Sequence, residues 1–548
     1  MGRTVVVVLP LLLLAGLSAM AQGVQHLSVT LPGGMPGTPV MTGIQQTTNG
    51  VKTSWDGPSG YYQVWHKMNL TGSSWLMVGK ATNLSRTATI PAPYSNDFFR
   101  VSGPAPRYAG AQVCAGCHGN IHASVMLTEH TGAFTNELFV QQGGQTNASC
   151  LACHTVGYGL PSGFTDAADT PQLEGVQCES CHGPAANHAA NPGDPTVVPR
   201  VELAAQVCGG CHSAGFAPAS VAAYHPSFFE DWSTSPHGAV VPEVLRSMAS
   251  STNSISSCGR CHSGSARLTL LQGRNPSATL TNDFSVAITC AVCHDAHAQH
   301  VWTNALNGVV YTNQLRNPLS STNDYVLTTS AVFTNAYNPN INVCAQCHND
   351  RGASLKVTDR APHHSPQYNM LLGTVGELNT NVVGVVDTNA PPYYSSPHAL
   401  LIADQCADCH LQAATNDASG HAFEVATYQL CLRCHTDPAG LVQFVTNDIS
   451  NQIQQTKALL DMWAANKAPE ALRKYGTLAW EYTTPGDLSS GGPGPDATEQ
   501  GMITNVIQKA RFDLYLVLYD GSYGVHNAPY DIELLQSAQG WVEGQLYQ

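Results

Sequence analysis

The sequence predicts a mainly α-helical, loop-rich fold, preceded by a small β-sandwich and closed by long C-terminal helices. Three observations predict it. The pattern Cys-x-x-Cys-His occurs nine times, and those copies use all 18 cysteines. The stretch from 23 to 105 has no cysteine and groups β-forming residues between Gly, Pro and Asn turns. Beyond Cys434, apolar residues recur at helical spacing. Only 11% of the residues are charged, while Gly and Pro number 49 and 33. That composition suits a loop-rich chain whose core is largely something other than side chains.

The chain starts with MGRTVVVVLPLLLLAGLSAMAQ. Arg3 is a basic start, Val5 to Leu14 an apolar run, and Ala19-Met20-Ala21 a small-residue cleavage site. Residues 1–21 therefore read as a secretory signal peptide, with a run too short for a comfortable membrane span. No later segment is apolar enough to cross a bilayer, so no integral span is expected after cleavage. The mature protein is placed in the periplasm or outside the cell.

Residues 22–106 carry the β signals. Thr53–Trp55, Tyr61–Met68, Trp75–Gly79 and Phe98–Gly103 alternate or cluster β-formers. Their spacing resembles a fibronectin type III sandwich, with Trp55 as its early core tryptophan. His66 falls in one of these strands and reads as a surface residue. Pro104-Ala105-Pro106 reads as the linker.

Residues 107–441 hold the nine motifs. Their cysteine pairs are Cys114 and Cys117, Cys150 and Cys153, Cys178 and Cys181, Cys208 and Cys211, Cys258 and Cys261, Cys290 and Cys293, Cys344 and Cys347, Cys406 and Cys409, and Cys431 and Cys434. The adjoining histidines are His118, His154, His182, His212, His262, His294, His348, His410 and His435. Two thiols three apart on one turn can add to the two vinyl groups of a porphyrin. The next residue, a His, then lies beneath the iron as its proximal ligand. Nine covalently attached c-type haems are expected.

Two other uses of paired cysteines are weaker. A secreted disulfide framework needs no His after each pair. With 23 His in 548 residues, nine such coincidences have a chance on the order of 10⁻¹². A zinc site needs four ligands from two half-sites and gains nothing from each adjacent His.

An internal repeat runs through this segment: an upstream His, a motif, then a second motif about thirty residues later. His130, Cys150 and Cys178 make the first copy, and His237, Cys258 and Cys290 the second. His398, Cys406 and Cys431 make a more compact third. Outside His26 and His66, twelve histidines remain after the nine proximal ones, enough for a second, distal ligand at each iron. His130, His188, His237, His297, His300, His364, His398, His421 and His526 are the distal candidates. Only one of His297 and His300 is needed, and His122 and His225 are expected not to ligate.

Residues 442–548 read as a helical domain that contributes a distal ligand, His526. Asp448–Tyr475 and Thr498–Tyr519 have apolar residues at helical spacing, separated by the loop Pro485–Pro495. A third, shorter helix is expected from Pro529 to Glu543.

The formal charge of −14 makes nucleic acid an unsuitable partner. It suits a basic redox protein or a small cation.

Cys150–Gly159 (CLACHTVGYG) followed by Leu173–Ala185 (LEGVQCESCHGPA) resembles the core of the tetrahaem cytochrome c of ammonia oxidisers. The Ser-x-His segments and Gly524-Val-His-Asn527 are similar to the wider superfamily of multihaem cytochromes. That superfamily includes hydroxylamine oxidoreductase, octahaem tetrathionate reductase and pentahaem nitrite reductase. The resemblance runs from about Arg107 to the C-terminus and is specific around the second and third motifs. It implies closely stacked, mostly bis-His haems on a helical scaffold.

The departures are informative. The nitrite reductase binds its catalytic haem with Lys in place of the motif His, whereas all nine motifs here end in His. Hydroxylamine oxidoreductase uses a tyrosine cross-link, and no motif marks Tyr515, Tyr519 or Tyr523 for that role. The resemblance also implies that the haem on His154 lacks a distal protein ligand.

The leading functional reading is an electron carrier exchanging electrons with redox proteins outside the cytoplasm. The alternative is an oxidoreductase acting on a small nitrogen or sulfur compound (nitrite, hydroxylamine or tetrathionate type) at an open haem, with His154 the candidate. A structural role, as subunits stacked end to end in a conductive filament or as a module docked on a surface complex through the β domain, comes third.

Overall fold

The computed structural model describes six strands between residues 40 and 102 and most of residues 107–547. The longest stretches left out after residue 107 are 215–224, 317–342 and 380–395. Residues 1–21 and His26 lie outside the described residues, as does the side chain of His66. The chain divides into two compact units: Met1–Phe229 with Asp295–Gln299, and Glu230–His294 with His300–Gln548. Four motifs fall in the first unit and five in the second.

In the first unit the strands are β1 (Val40–Thr47), β2 (Gly50–Asp56), β3 (Tyr62–Lys67), β4 (Leu76–Ala81), β5 (Thr87–Pro91) and β6 (Phe98–Ser102). They form two three-stranded antiparallel sheets, β1-β2-β5 and β4-β3-β6. The two-residue period of β2 buries Thr53 and Trp55 and leaves Lys52 exposed.

The haem-motif part of this unit is built from short helices: α1 (Ala111–Val125), α2 (Ala148–His154) and α3 (Cys178–His182). A buried carboxylate ties two of them together. Glu179, inside the third motif, accepts the backbone N–H groups of Ala109, Gly110 and Ala185 at 2.7–3.0 Å. Gln177 accepts that of Ala111 at 2.8 Å. The free N–H groups at the start of α1 are thus satisfied by the segment carrying α3. Gly110 makes the entry with φ +82, and a Cβ there would meet the Gln172 carbonyl oxygen at 2.9 Å. Phe134, Leu151, Val156, Phe164 and Leu173 form a small apolar core beside the second motif.

The second unit ends in three long helices, α4 (Pro438–Asn466), α5 (Asn505–Asp520) and α6 (Ala528–Leu546). Helix α4 starts ten residues before the expected Asp448. The Asp437 side chain accepts the Gly440 N–H, and Pro438 occupies the first turn, where its missing N–H costs nothing. It stops at Asn466 rather than Tyr475. Residues Glu470–Trp480 follow as 3₁₀ turns broken at Gly476, φ +55. Helix α6, expected to be the short one, has 19 residues.

Ile449, Ile453, Leu460 and Trp463 recur on one face of α4. They bury against Leu514, Tyr515, Leu534 and Val542 of α5 and α6. Arg511 crosses this core, donating to the carbonyls of Trp480 and Glu481 and to Gln500 at 2.8–2.9 Å. Its guanidinium lies 4.0 Å from the Tyr482 ring centre. No helix among the described residues is long and apolar enough to cross a membrane.

Candidate haem-binding sites

Each motif sits on a single helical turn. In five motifs the His backbone N–H returns to the carbonyl of the first Cys: His212, His262, His294, His348 and His435, at 2.8–3.1 Å. One turn therefore brings both thiols and the imidazole to one side. In the first motif α1 kinks at His118 (φ −111, ψ 38), which re-aims that ring. None of the 18 cysteines is joined in a disulfide, which leaves every thiol available for a thioether. Among the described residues, no group of three or more His, Cys, Asp or Glu is arranged to hold a bare metal ion.

The cysteines do not all share one environment. Sixteen are half-buried, whereas Cys117 of the first motif and Cys434 of the ninth are exposed. Cys117 directly precedes the kink at His118, so the turn that presents it faces outward. The third motif divides its two thiols between different neighbours. Cys178 reaches Cys114 of the first motif, while Cys181, half-buried, is close enough to interact with Cys211 of the fourth.

The histidines fall into pairs. In the first unit His154 faces His225 with ring centres 6.3 Å apart, His182 faces His297 at 5.8 Å, and His212 faces His130 at 6.0 Å. In the second unit His262 faces His363 at 6.1 Å, His294 faces His421 at 6.4 Å, and His348 faces His237 at 6.1 Å. His410 faces His526 at 6.3 Å, and His435 faces His398 at 6.2 Å. Imidazole nitrogens bind metal at about 2 Å, so two imidazoles on opposite sides of one iron have ring centres roughly 6 Å apart. Eight motif histidines thus have a non-motif histidine at the spacing of a shared iron.

Hydrogen bonds orient many of these rings. The Nδ1 of His154 donates to the Ala133 carbonyl at 2.8 Å, that of His410 to Phe423 at 3.0 Å and that of His398 to Val525 at 3.0 Å. His348 uses Gln367 at 3.3 Å and His421 the carbonyl of Ser419 at 3.2 Å. A donating Nδ1 leaves Nε2 as the free base that iron requires. His526 differs: its Nδ1 meets Oδ1 of Asp520 at 2.7 Å.

Burial acts in the same direction for most of the set. It lowers the pKa of His130, His154, His262, His398, His410 and His421. Burial, helped by neighbouring His348, takes His237 down to about 4. Burial, with Arg351 nearby, takes His363 down to about 3. A histidine held neutral keeps its lone pair for a metal. At His526 burial pulls the same way, but the Asp520 carboxylate outweighs it and raises the pKa.

The fit to haem extends to the surroundings. Exposed apolar side chains flank several motifs: Val113 and Ile121 beside the first, Leu411 beside the eighth, Leu432 within the ninth. These are surfaces a porphyrin would cover.

Several candidates stand where the repeat did not suggest. The upstream histidines His130, His237 and His398 face His212, His348 and His435. His225, expected not to ligate, faces His154, where an open position was expected. His363 rather than His364 faces His262, and His364 packs beside His363 at 4.3 Å and near Tyr519. His297 faces a motif ring, while His300 begins a short strand, His300–Thr303. His118 has no histidine ring opposite it among the described residues. His122 lies one turn further along the same helix. His188 carries a buried Nδ1 without a hydrogen-bond partner. His225 and His363 are the residues sequence reasoning missed. A neighbouring Pro226 and a His-His doublet gave no signal that ranks them above the others.

Thiols of other motifs also meet. Cys153 is within hydrogen-bonding reach of Cys211, and Cys261 of Cys347. Cys344 is close enough to interact with both Cys293 and Cys406, and Cys409 with Cys431.

Parts of the chain are similar to known proteins. Residues 113–183 match the family described as cytochrome c554 and c-prime. Cytochrome c-554 of Nitrosomonas europaea is 30% identical over 93 residues, 15% of this chain and 40% of that protein. The chain therefore spans less than half the length of this curated relative. Among solved structures, the outer cell wall cytochrome OcwA aligns with a TM-score of 0.49 and 17% identity, over 79% of this chain and 99% of that one. The undecahaem cytochrome from the S-layer of Carboxydothermus ferrireducens aligns with a TM-score of 0.48 and 19% identity, over 81% and 70%.

Proposed function

We propose that this chain, a multihaem c-type cytochrome, carries electrons through nine covalently attached haems outside the cytoplasm, each iron held between two histidines. The observation that carries the proposal is the set of eight His–His spacings of 5.8–6.4 Å. Haem c, when bound, supplies a one-electron iron couple.

The residues have separate roles. The paired cysteines would hold the haems through thioethers, with Cys117 and Cys434 the exposed members of their pairs. The motif histidines would each supply one nitrogen to an iron, and His225, His297, His130, His363, His421, His237, His526 and His398 would each supply the second. The remaining iron, on His118, has no described histidine ring at that spacing; we assign it His188, whose buried Nδ1 has no hydrogen-bond partner, rather than His122, which shares the helix of His118. An iron closed on both sides has no position for substrate, which favours a carrier.

Meeting thiols support close haem edges between Cys114 and Cys178, Cys153 and Cys211, and Cys261 and Cys347. They also support a branch at the His348 haem, which neighbours the haems of His262, His294 and His410. The leader-like residues 1–21 support export, and the two three-stranded sheets support a fibronectin type III-like module over residues 22–106 that positions or tethers the protein. The segments 107–441 and 442–548 are read as the haem-bearing part and its helical support. The partners are redox proteins, basic ones suiting the net negative charge.

One observation favours the oxidoreductase reading. A pocket of about 110 Å³ is lined by His363 together with Arg351, Arg360, Asp350, Tyr482 and Phe512. Two guanidinium groups beside a haem ligand suit a small oxyanion, but substrate would first have to displace His363 from iron.

Electron paramagnetic resonance of the oxidised, haem-loaded protein separates the two. Low-spin signals alone, unchanged by nitrite or hydroxylamine, support the carrier. A high-spin signal that shifts with either compound favours the oxidoreductase.

A further inference from the structure

The histidine facing His410 is set apart by what stands behind it. At His154, His348, His363, His398, His410 and His421 the Nδ1 partner is a carbonyl, an amide or a hydroxyl oxygen, all uncharged, although the Asp231 carboxylate also acts on His421. Behind His526 it is the carboxylate of Asp520, whose side chain is 0% exposed.

The geometry is built by the fold. Helix α5 ends at Asp520 because Gly521 takes the left-handed conformation, φ 73. The chain then turns back so that the Ser522 hydroxyl donates to Asp520 and accepts the N–H of His526 at 3.1 Å. Gln367 donates to the Asp520 carbonyl at 3.2 Å. No lysine or arginine among the described residues pairs with this carboxylate. Its near neighbour Asp531 is 1% exposed, and burial pushes its pKa well above the usual carboxylate range.

We propose that Asp520 is a positioning residue that acts through His526 to hold the His410 haem at a lower reduction potential than its neighbours in the second unit. A carboxylate accepting the Nδ1 proton gives the imidazole part of the character of an imidazolate and makes Nε2 a stronger donor. A stronger donor, with a buried negative charge behind it, stabilises ferric iron over ferrous iron. Reduction adds one electron to the iron, and the Nδ1 proton stays between His526 and Asp520. The His410 haem then favours passing electrons on to its neighbours rather than storing them. This inference rests on the reading of His526 as the distal ligand of that haem.

The test uses the full-length, haem-loaded protein. His526→Ala is made first, and one new high-spin iron is expected. If every iron stays low-spin, the ligand assignment fails and the inference with it. Asp520→Asn, which keeps the shape and an acceptor oxygen but removes the charge, is then titrated potentiometrically. The haem count and low-spin state should be retained, one one-electron component should move to higher potential, and Asp520→Glu should restore it. A high-spin iron in His526→Ala together with unchanged or lowered midpoints in Asp520→Asn would overturn the role of Asp520 alone. Loss of one haem in both Asp520 variants would make the residue structural and overturn it equally.

Discussion

On the proposed ligation, a single imidazole would decide the spin state of each iron, so the ligand assignments are testable one residue at a time. His225→Ala and His363→Ala should each convert one low-spin haem to high-spin, read from the optical and paramagnetic spectra. His364→Ala and His300→Ala should leave the low-spin count unchanged. The doublet His363-His364 shows why the residue pattern does not choose between them. The two residues lie in a loop outside any helix or strand, and only one of the two rings lies 6.1 Å from His262. His225 is hidden in the sequence for the same reason. Nothing local distinguishes a histidine before a proline from a solvated one, and its role depends on His154, 71 residues earlier in the chain.

The elements are held by a few buried polar ties and by the packing of α4, α5 and α6. Glu179 accepts three backbone N–H groups, and removing it strands buried donors. Glu179→Ala should cost about 3 kcal/mol or more in thermal or denaturant unfolding. Burial raises the pKa of Glu179 despite those donors. A raised value in the folded state means its contribution is fully present below the unfolded carboxylate pKa and is lost as pH rises through the folded one. Glu179→Gln should therefore flatten that part of the stability–pH profile. In the helical core, Trp463 is 1% exposed. Trp463→Ala should cost about 3–5 kcal/mol, read from the unfolding of the C-terminal helices by far-ultraviolet dichroism. Apolar periodicity makes these helices legible in the sequence. Their ends are less so, because the cap at Asp437 and the break at Gly476 depend on one residue each.

Over the whole molecule the expected haem load is nine, four in the first unit and five in the second. Intact mass and the pyridine haemochrome assay should both return nine. Replacing both cysteines of one motif with Ser should lower the count by one without removing the others, because each motif supplies its own attachment and proximal ligand. A count that falls by several would mean that neighbouring haems fold as a group, as the meeting of Cys261 with Cys347 and of Cys344 with Cys406 would allow.

The sequence alone determined what is local and covalent. Spacing within a motif of five residues puts two thiols and an imidazole on one turn, whatever the rest of the chain does. It also determined the helical periodicity of the C-terminal part and the low charge that leaves room for porphyrin. Tertiary structure decided what is distant. It set which histidine faces eight of the nine motif histidines, which thiols of different motifs meet, why Cys117 faces outward while Cys181 turns toward Cys211, and which carboxylate stands behind His526. Those contacts join residues up to about 130 positions apart, as in His398 with Val525. Chain direction through loops sets them, and no residue pattern of a few positions encodes that.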